Sequence, residues 1–159
     1  MKKKISFFLI SLSALLLCAC SNKSQIKFTD FTPNTTRAEA EKALGEPIET
    51  ETFKTGYRCK YDMSIDGING IIEIKYISKS EDATIVPYTE KSSGTSIGVE
   101  WHSDKNDKYN NFDDLKPLEE QLRHYLEKEM GARYQDFYDV TSCHHATYGF
   151  CVHITSLID

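Results

Sequence analysis

Two stretches of strict alternation decide what this chain can fold into. Tyr57, Cys59, Tyr61 and Met63 alternate with Arg58, Lys60 and Asp62; Ile72, Ile74 and Tyr76 alternate with Glu73 and Lys75. A period of two marks strands with one buried and one exposed face. Asp66-Gly67 and Asn69-Gly70 lie between them, and both pairs favour the backbone of a tight hairpin. The pattern predicts an antiparallel hairpin with Cys59 on its inner face. A lone hairpin is marginally stable in water, so other segments must cover that face.

Two helices are available to do so. Thr36-Arg37-Ala38-Glu39 has the form of a capping box. Ala40, Ala43 and Leu44 follow, and Gly45 and Pro47 stop the run, which predicts a short helix over 36–44. Leu115, Leu118, Leu122, Leu126 and Met130 recur at spacings of three and four, the strongest helical signal in the chain. Asp113 or Asp114 is placed to cap this second helix, Pro117 suits its first turn, and Gly131 ends it. Weaker strand signals lie at 48–53, 84–88 and 96–101, and a polar loop is expected over 103–111. A last hairpin is predicted with Tyr138 and Val140 facing the core from one arm, and Tyr148, Phe150, Val152 and Ile154 from the other. The expected architecture is α+β, an antiparallel sheet with two helices packed on one face.

The first residues read differently. Lys2, Lys3 and Lys4 precede an apolar stretch from Ile5 to Leu17, too short for a stable membrane span but right for a signal peptide. The stretch ends Leu17-Cys18-Ala19-Cys20, which resembles the lipobox of bacterial lipoproteins. The resemblance implies cleavage after Ala19, diacylglycerol on the Cys20 thiol, and tethering to a membrane by the acyl chains. The alternative is an ordinary cleaved signal with an accidental cysteine. Ser21 stands after the cysteine in place of aspartate. By the same resemblance, this favours the outer membrane of a two-membrane envelope, or the outer face of the cell membrane in a one-membrane bacterium. The chain then divides into a signal peptide over 1–19, a lipidated cysteine and linker over 20–27, and one domain over 28–159.

Charge follows from that division. The whole chain of 159 residues carries 19 Lys+Arg against 24 Asp+Glu, net −5. Removing 1–19 takes three lysines and no acid, so the remainder has 16 against 24, net −8. Phosphate binding needs concentrated Lys and Arg, so nucleic acid is not expected as a partner.

Thr35-Thr36-Arg37-Ala38-Glu39-Ala40-Glu41-Lys42-Ala43-Leu44-Gly45-Glu46-Pro47 carries a second resemblance. It is similar to the Thr-x-x-Glu-x-x-x-x-Leu-Gly-x-Pro segment of SmpA/OmlA lipoproteins, the BamE-like family. That helix-then-sheet arrangement is shared with β-lactamase-inhibitor-like domains. Gly56-Tyr57-Arg58-Cys59-Lys60-Tyr61 and Asp66-Gly67 occupy positions similar to the family's Tyr-rich strand and turn. The likeness covers about residues 30–78. The chain then continues beyond the usual BamE-like length with a second helix and a hairpin.

Three cysteines remain in the domain: Cys59, Cys143 and Cys151. Export makes disulfides allowed. Setting Cys143 opposite Cys151 places Val140 opposite Ile154, Thr141 opposite His153 and Ser142 opposite Val152. Apolar residues then fall on one face and both cysteines on the other. A Cys143–Cys151 disulfide and a buried free Cys59 are expected, with a bond from Cys59 to either partner as the rival. His144, His145 and His153 lie near these cysteines and are candidate zinc ligands. Their spacing matches no common closed zinc site, so a disulfide with exposed turn histidines is preferred and no metal or other cofactor is expected. His102 and His124 are expected at the surface. Asp104-Lys105-Asn106-Asp107 resembles a calcium loop only superficially, because Lys108 replaces the third ligand and no glycine follows at the sixth position.

No Gly-x-Ser-x-Gly, Walker loop or His-Glu-x-x-His is present, and an enzyme is not expected. The leading expectation is an envelope lipoprotein acting as a protein-binding or structural module in envelope assembly, with an envelope protein as partner. The alternative is a lipoprotein that binds a metal or small ligand near Cys143, His144, His145, Cys151 and His153.

Overall fold

A computed structural model of the chain describes residues 26–80, 82–91, 94–104 and 109–159. The expected signal peptide, Cys20, most of the expected linker and most of the rejected calcium loop lie outside the described residues. The first hairpin forms as the alternation predicts. β2 (Gly56–Asp62) pairs antiparallel with β3 (Gly70–Ile77), with Cys59 opposite Ile74 and Tyr61 opposite Ile72. The two glycine pairs between them have different roles. Asp66 and Gly67 both take positive φ, 49° and 79°, and make the tight turn between Ile65 and Ile68. Gly70 is no turn residue: a Cβ there would stand 2.3 Å from the Trp101 ring, so glycine admits the indole.

Around that hairpin the sheet grows to six strands in the order β1-β2-β3-β6-β8-β7, every pairing antiparallel. β1 is Glu49–Thr52, β6 is Val99–Ser103, β7 is Tyr138–His145 and β8 is Gly149–Ser156. β4 (Thr89–Lys91) and β5 (Gly94–Ser96) form a separate small hairpin that the alternation did not predict. The weak strand signal over 84–88 gives only isolated bridges, at Thr84 and Ile85.

α1 (Arg37–Leu44) is capped in both directions: Thr36 Oγ1 accepts from Glu39 N, and Glu39 Oε2 accepts from Thr36 N at 2.8 Å. Gly45, at φ 95°, ends it. α2 (Lys116–Met130) follows a short 3-10 turn over Phe112–Leu115. Asn111 caps that turn, accepting from the backbone of Asp113 and Asp114; neither aspartate takes the expected capping role. Asp113 instead pairs with Lys116 at 2.7 Å.

One buried cluster holds the apolar positions of these elements. It takes Cys59, Tyr61, Ile72, Ile74, Trp101, Val140, Val152 and Ile154 from the strands, Ala40 from α1, and Leu122 and Leu126 from α2. Trp101 is fully buried and donates from Nε1 to the Met63 carbonyl at 2.7 Å. The remaining strand positions, Arg58, Lys60, Glu73, Lys75, Glu100, His102, Cys143, Cys151 and His153, fall on the opposite face by the two-residue period. That face carries the candidate site.

Candidate functional site: a histidine–cysteine cluster on the polar sheet face

β6 and β8 meet at one row of the sheet. His102 lies directly opposite His153, and Glu100 opposite Thr155. Two residues along β8, Cys151 lies directly opposite Cys143 on β7. Strand pairing thus gathers groups that are far apart in sequence onto one patch.

The centre of the patch is His102. Expected at the surface, it is 3% exposed, because its neighbours Trp101 and Ser103 point into the core side while its ring is roofed by other rings. Its imidazole stacks on that of His153 at 4.3 Å and 8°, on Tyr148 at 4.7 Å, and lies 5.3 Å from His145.

Polar partners surround the stack unevenly. Glu100 Oε2 stands 3.6 Å from Nε2 of both His102 and His153, ion-pair separations too long for good hydrogen bonds. Lys75 Nζ approaches Glu100 Oε1 at 3.7 Å. Burial works against the Glu100 charge, but the two imidazoles and Lys75 outweigh it and hold the carboxyl well below the usual range. His153 Nε2 is also 3.2 Å from Thr155 Oγ1. His102 Nδ1, by contrast, is buried with no hydrogen-bond partner. A buried nitrogen of this kind ordinarily finds one, and leaving it bare costs about 1–3 kcal/mol.

Beside His102 lie the two sulfurs. The register expected for the last hairpin is found in full, with Val140 opposite Ile154, Thr141 opposite His153 and Cys143 opposite Cys151. The Sγ atoms stand 3.3 Å apart as two thiols. Burial first, and the adjacent Cys143 second, push the Cys151 thiol up to about 12. Cys59 belongs to the other face, buried, with its Sγ 3.7 Å from Thr50 Oγ1. Three strands separate β2 from β7, about 19 Å at 4.8 Å per strand. Two separate β2 from β8, about 14 Å. Both spans exceed disulfide reach, so the rival pairing of Cys59 fails on geometry.

Ligand atoms of His102, Cys143 and Cys151 lie within 4.8 Å of one another, and so do those of Glu100, His102 and His153. His102 is common to both groups. Of the three histidines named from sequence, His153 joins the cluster and His145 lies at its rim, where burial and the neighbouring His102 lower its pKa. His144 does not join. The period of two turns it to the other side of β7, where it meets the Phe150 ring at 4.7 Å. Tyr148 also departs from expectation. Gly149 takes φ 66°, breaking the alternation at the hairpin end, and Tyr148 swings to the polar face to donate to Glu73 Oε1 at 2.9 Å.

Sequence reasoning missed Glu100 and His102. The signal was present: in Glu100-Trp101-His102 a buried Trp places both flanking residues on the opposite face. What was absent was any local hint that β6 pairs with β8. Among the described residues no helix is long and apolar enough to cross a membrane. Compared with known proteins, the chain matches no family model, no curated protein and no solved structure.

Proposed function

We propose that the chain is a membrane-anchored lipoprotein of the bacterial envelope whose domain binds a thiophilic transition-metal ion at His102, Cys143 and Cys151, with Glu100 and His153 beside them. The observation that carries the metal reading is the buried His102 ring, whose Nδ1 lacks a partner while two sulfurs lie within ligand reach. Thiolate and imidazole together suit zinc or copper(I), and exclude magnesium or calcium as the natural occupant. The role is one of holding an ion, not of catalysis. It replaces the protein-binding module as the leading reading because His102 lies with the cysteines, which the sequence did not suggest.

The anchor reading rests on Lys2 to Lys4, the apolar stretch after them and Leu17-Cys18-Ala19-Cys20. Ser21 and the BamE-like segment over 35–47 support the outer membrane. We also propose that both helices cover the same sheet face. Ala40, Leu122 and Leu126 share a cluster with the inner strand positions, which supports this and leaves the histidine–cysteine face without a helix. A protein-binding role keeps one specific support. β1 is an edge strand with all four residues exposed, flanked by Ile48 and Phe53, which are 56% and 37% exposed. An envelope protein adding a strand there is the second reading.

The test is direct. Full-length chain, purified in detergent with a thiol reductant and no chelator, is expected to take up one equivalent of zinc by elemental analysis and calorimetric titration. A His102→Phe variant, which keeps a stacked ring, is expected to bind at least tenfold more weakly. Failure of the reduced wild-type chain to bind zinc overturns the metal reading.

A further inference from the structure

We infer that Cys143 and Cys151 form a redox gate on the metal centre: as a dithiol they hold a thiophilic cation together with His102, and as a disulfide they release it. The inference rests on the metal-binding reading above and adds its regulation. Four observations carry it.

The first is distance. The sulfurs stand 3.3 Å apart. A disulfide needs about 2.05 Å, whereas two thiolates on tetrahedral zinc, each bonded at about 2.3 Å, stand roughly 3.8 Å apart. The observed separation falls between the two end states, and each is reached by sulfur movements of about an ångström or less per side chain. The second is the frame. Cys143 and Cys151 are directly paired within a ladder of eight residue pairs from Tyr138–Ser156 to His145–Gly149. Facing residues of antiparallel strands have Cα atoms about 4.5–5.5 Å apart, within the disulfide range, so closing the bond leaves the sheet intact.

The third is access. Cys151 is fully buried, while Cys143 is half-buried and open to a reagent. The fourth is isolation. Cys59 lies on the opposite face and several strands away, so it cannot compete for either sulfur.

The reaction needs an oxidant, and a small-molecule disulfide supplies it. The Cys143 thiolate attacks one sulfur of that disulfide, giving a mixed disulfide and expelling one thiolate. Cys151 then loses its proton and attacks the Cys143 sulfur, expelling the second. One protein disulfide forms, two small thiols are produced, and the two electrons lost by the protein reduce the added disulfide. A disulfide sulfur carries no thiolate charge, so the cation loses two of its three donors and keeps only His102 of that set. The gate therefore converts redox poise into metal release without moving a strand.

The experiment compares one preparation in two states. Full-length chain in detergent is reduced, or oxidised with glutathione disulfide, and zinc affinity is measured against a chromophoric chelator. Reduced chain is expected to bind one equivalent, oxidised chain at least 100-fold more weakly, and reductant to restore binding. Peptide mapping should link Cys143 to Cys151 and leave Cys59 free. A Cys143→Ser variant should bind zinc more weakly than reduced wild type and show no response to the oxidant. Equal affinity in both states, or failure of the pair to link, overturns the gate while leaving metal binding standing. Absence of binding in the reduced chain overturns the metal reading, and the gate with it.

Discussion

Glu119 shows how much one side chain can join. It accepts from Arg123 Nη2 at 2.8 Å, four residues along α2, and from Ser142 Oγ at 2.6 Å on β7. Arg123 in turn donates to the Val140 carbonyl. A helix-surface pair thereby becomes a clasp between α2 and the edge of the sheet. Burial raises the Glu119 pKa, but the Ser142 and Arg123 contacts outweigh it, and the net shift is downward from 4.5. The sign follows: a depressed folded pKa adds stability that is present above the unfolded value and lost as pH falls through the folded one. Glu119→Gln is expected to cost about 1 kcal/mol at pH 7, screening included, and progressively less below pH 4.5. Urea denaturation of both forms at pH 7 and pH 3 checks this; a gap that does not narrow at pH 3 refutes it. Glu119 and Arg123 stand four apart on the helix that the leucine spacing predicts, so their pairing follows from the sequence, but Ser142 does not, because its place beside Glu119 depends on how α2 lies against β7.

The elements divide along the same line. α1 was legible because its boundaries are local chemistry: Thr36 and Glu39 satisfy each other's end of the helix, and Gly45 supplies the backbone that stops it. The cap matters because α1 has only eight residues and little cooperative length of its own. Its start is also tied down, with Arg37 N donating to the Ala83 carbonyl at 2.8 Å. Thr36→Ala is expected to lower stability by about 1 kcal/mol, and Thr36→Ser to restore most of it, read as denaturation midpoints at unchanged slope. Equal midpoints for all three would refute the cap. The β2–β3 and β7–β8 hairpins were legible for a similar reason, since period and turn residues set a local register. β6 was legible only as the weak strand signal over 96–101, and its place was not: it lies between β3 and β8, two segments distant in sequence, and no local pattern encodes such a partner. The site suffered the same fate. Cys143 opposite Cys151 follows from one hairpin, while His102 opposite His153 follows from the sheet order.

At the scale of the molecule, charge and anchor act together. The portion after residue 19 carries net −8, and anionic lipid repels it. Its net charge does not favour an anionic membrane, and no described helix is long and apolar enough to cross one. Attachment in the proposed reading therefore depends on the acyl chains at Cys20, each methylene adding about 0.8 kcal/mol. Two or more chains give an attachment that salt cannot reverse, because the bond to the bilayer is apolar. An ionic contact would instead weaken as salt shortens the screening length, about 10 Å at 0.1 M and about 3 Å at 1 M. Cys20→Ala is thus expected to move the chain out of the detergent-phase membrane fraction, and 1 M salt is expected to leave wild type in it. Fractionation with metabolic labelling by a fatty acid checks both arms. Wild type that is unlabelled and washed off by salt would refute the anchor while leaving the histidine–cysteine cluster untouched, since Glu100, His102, Cys143, Cys151 and His153 all belong to the described domain.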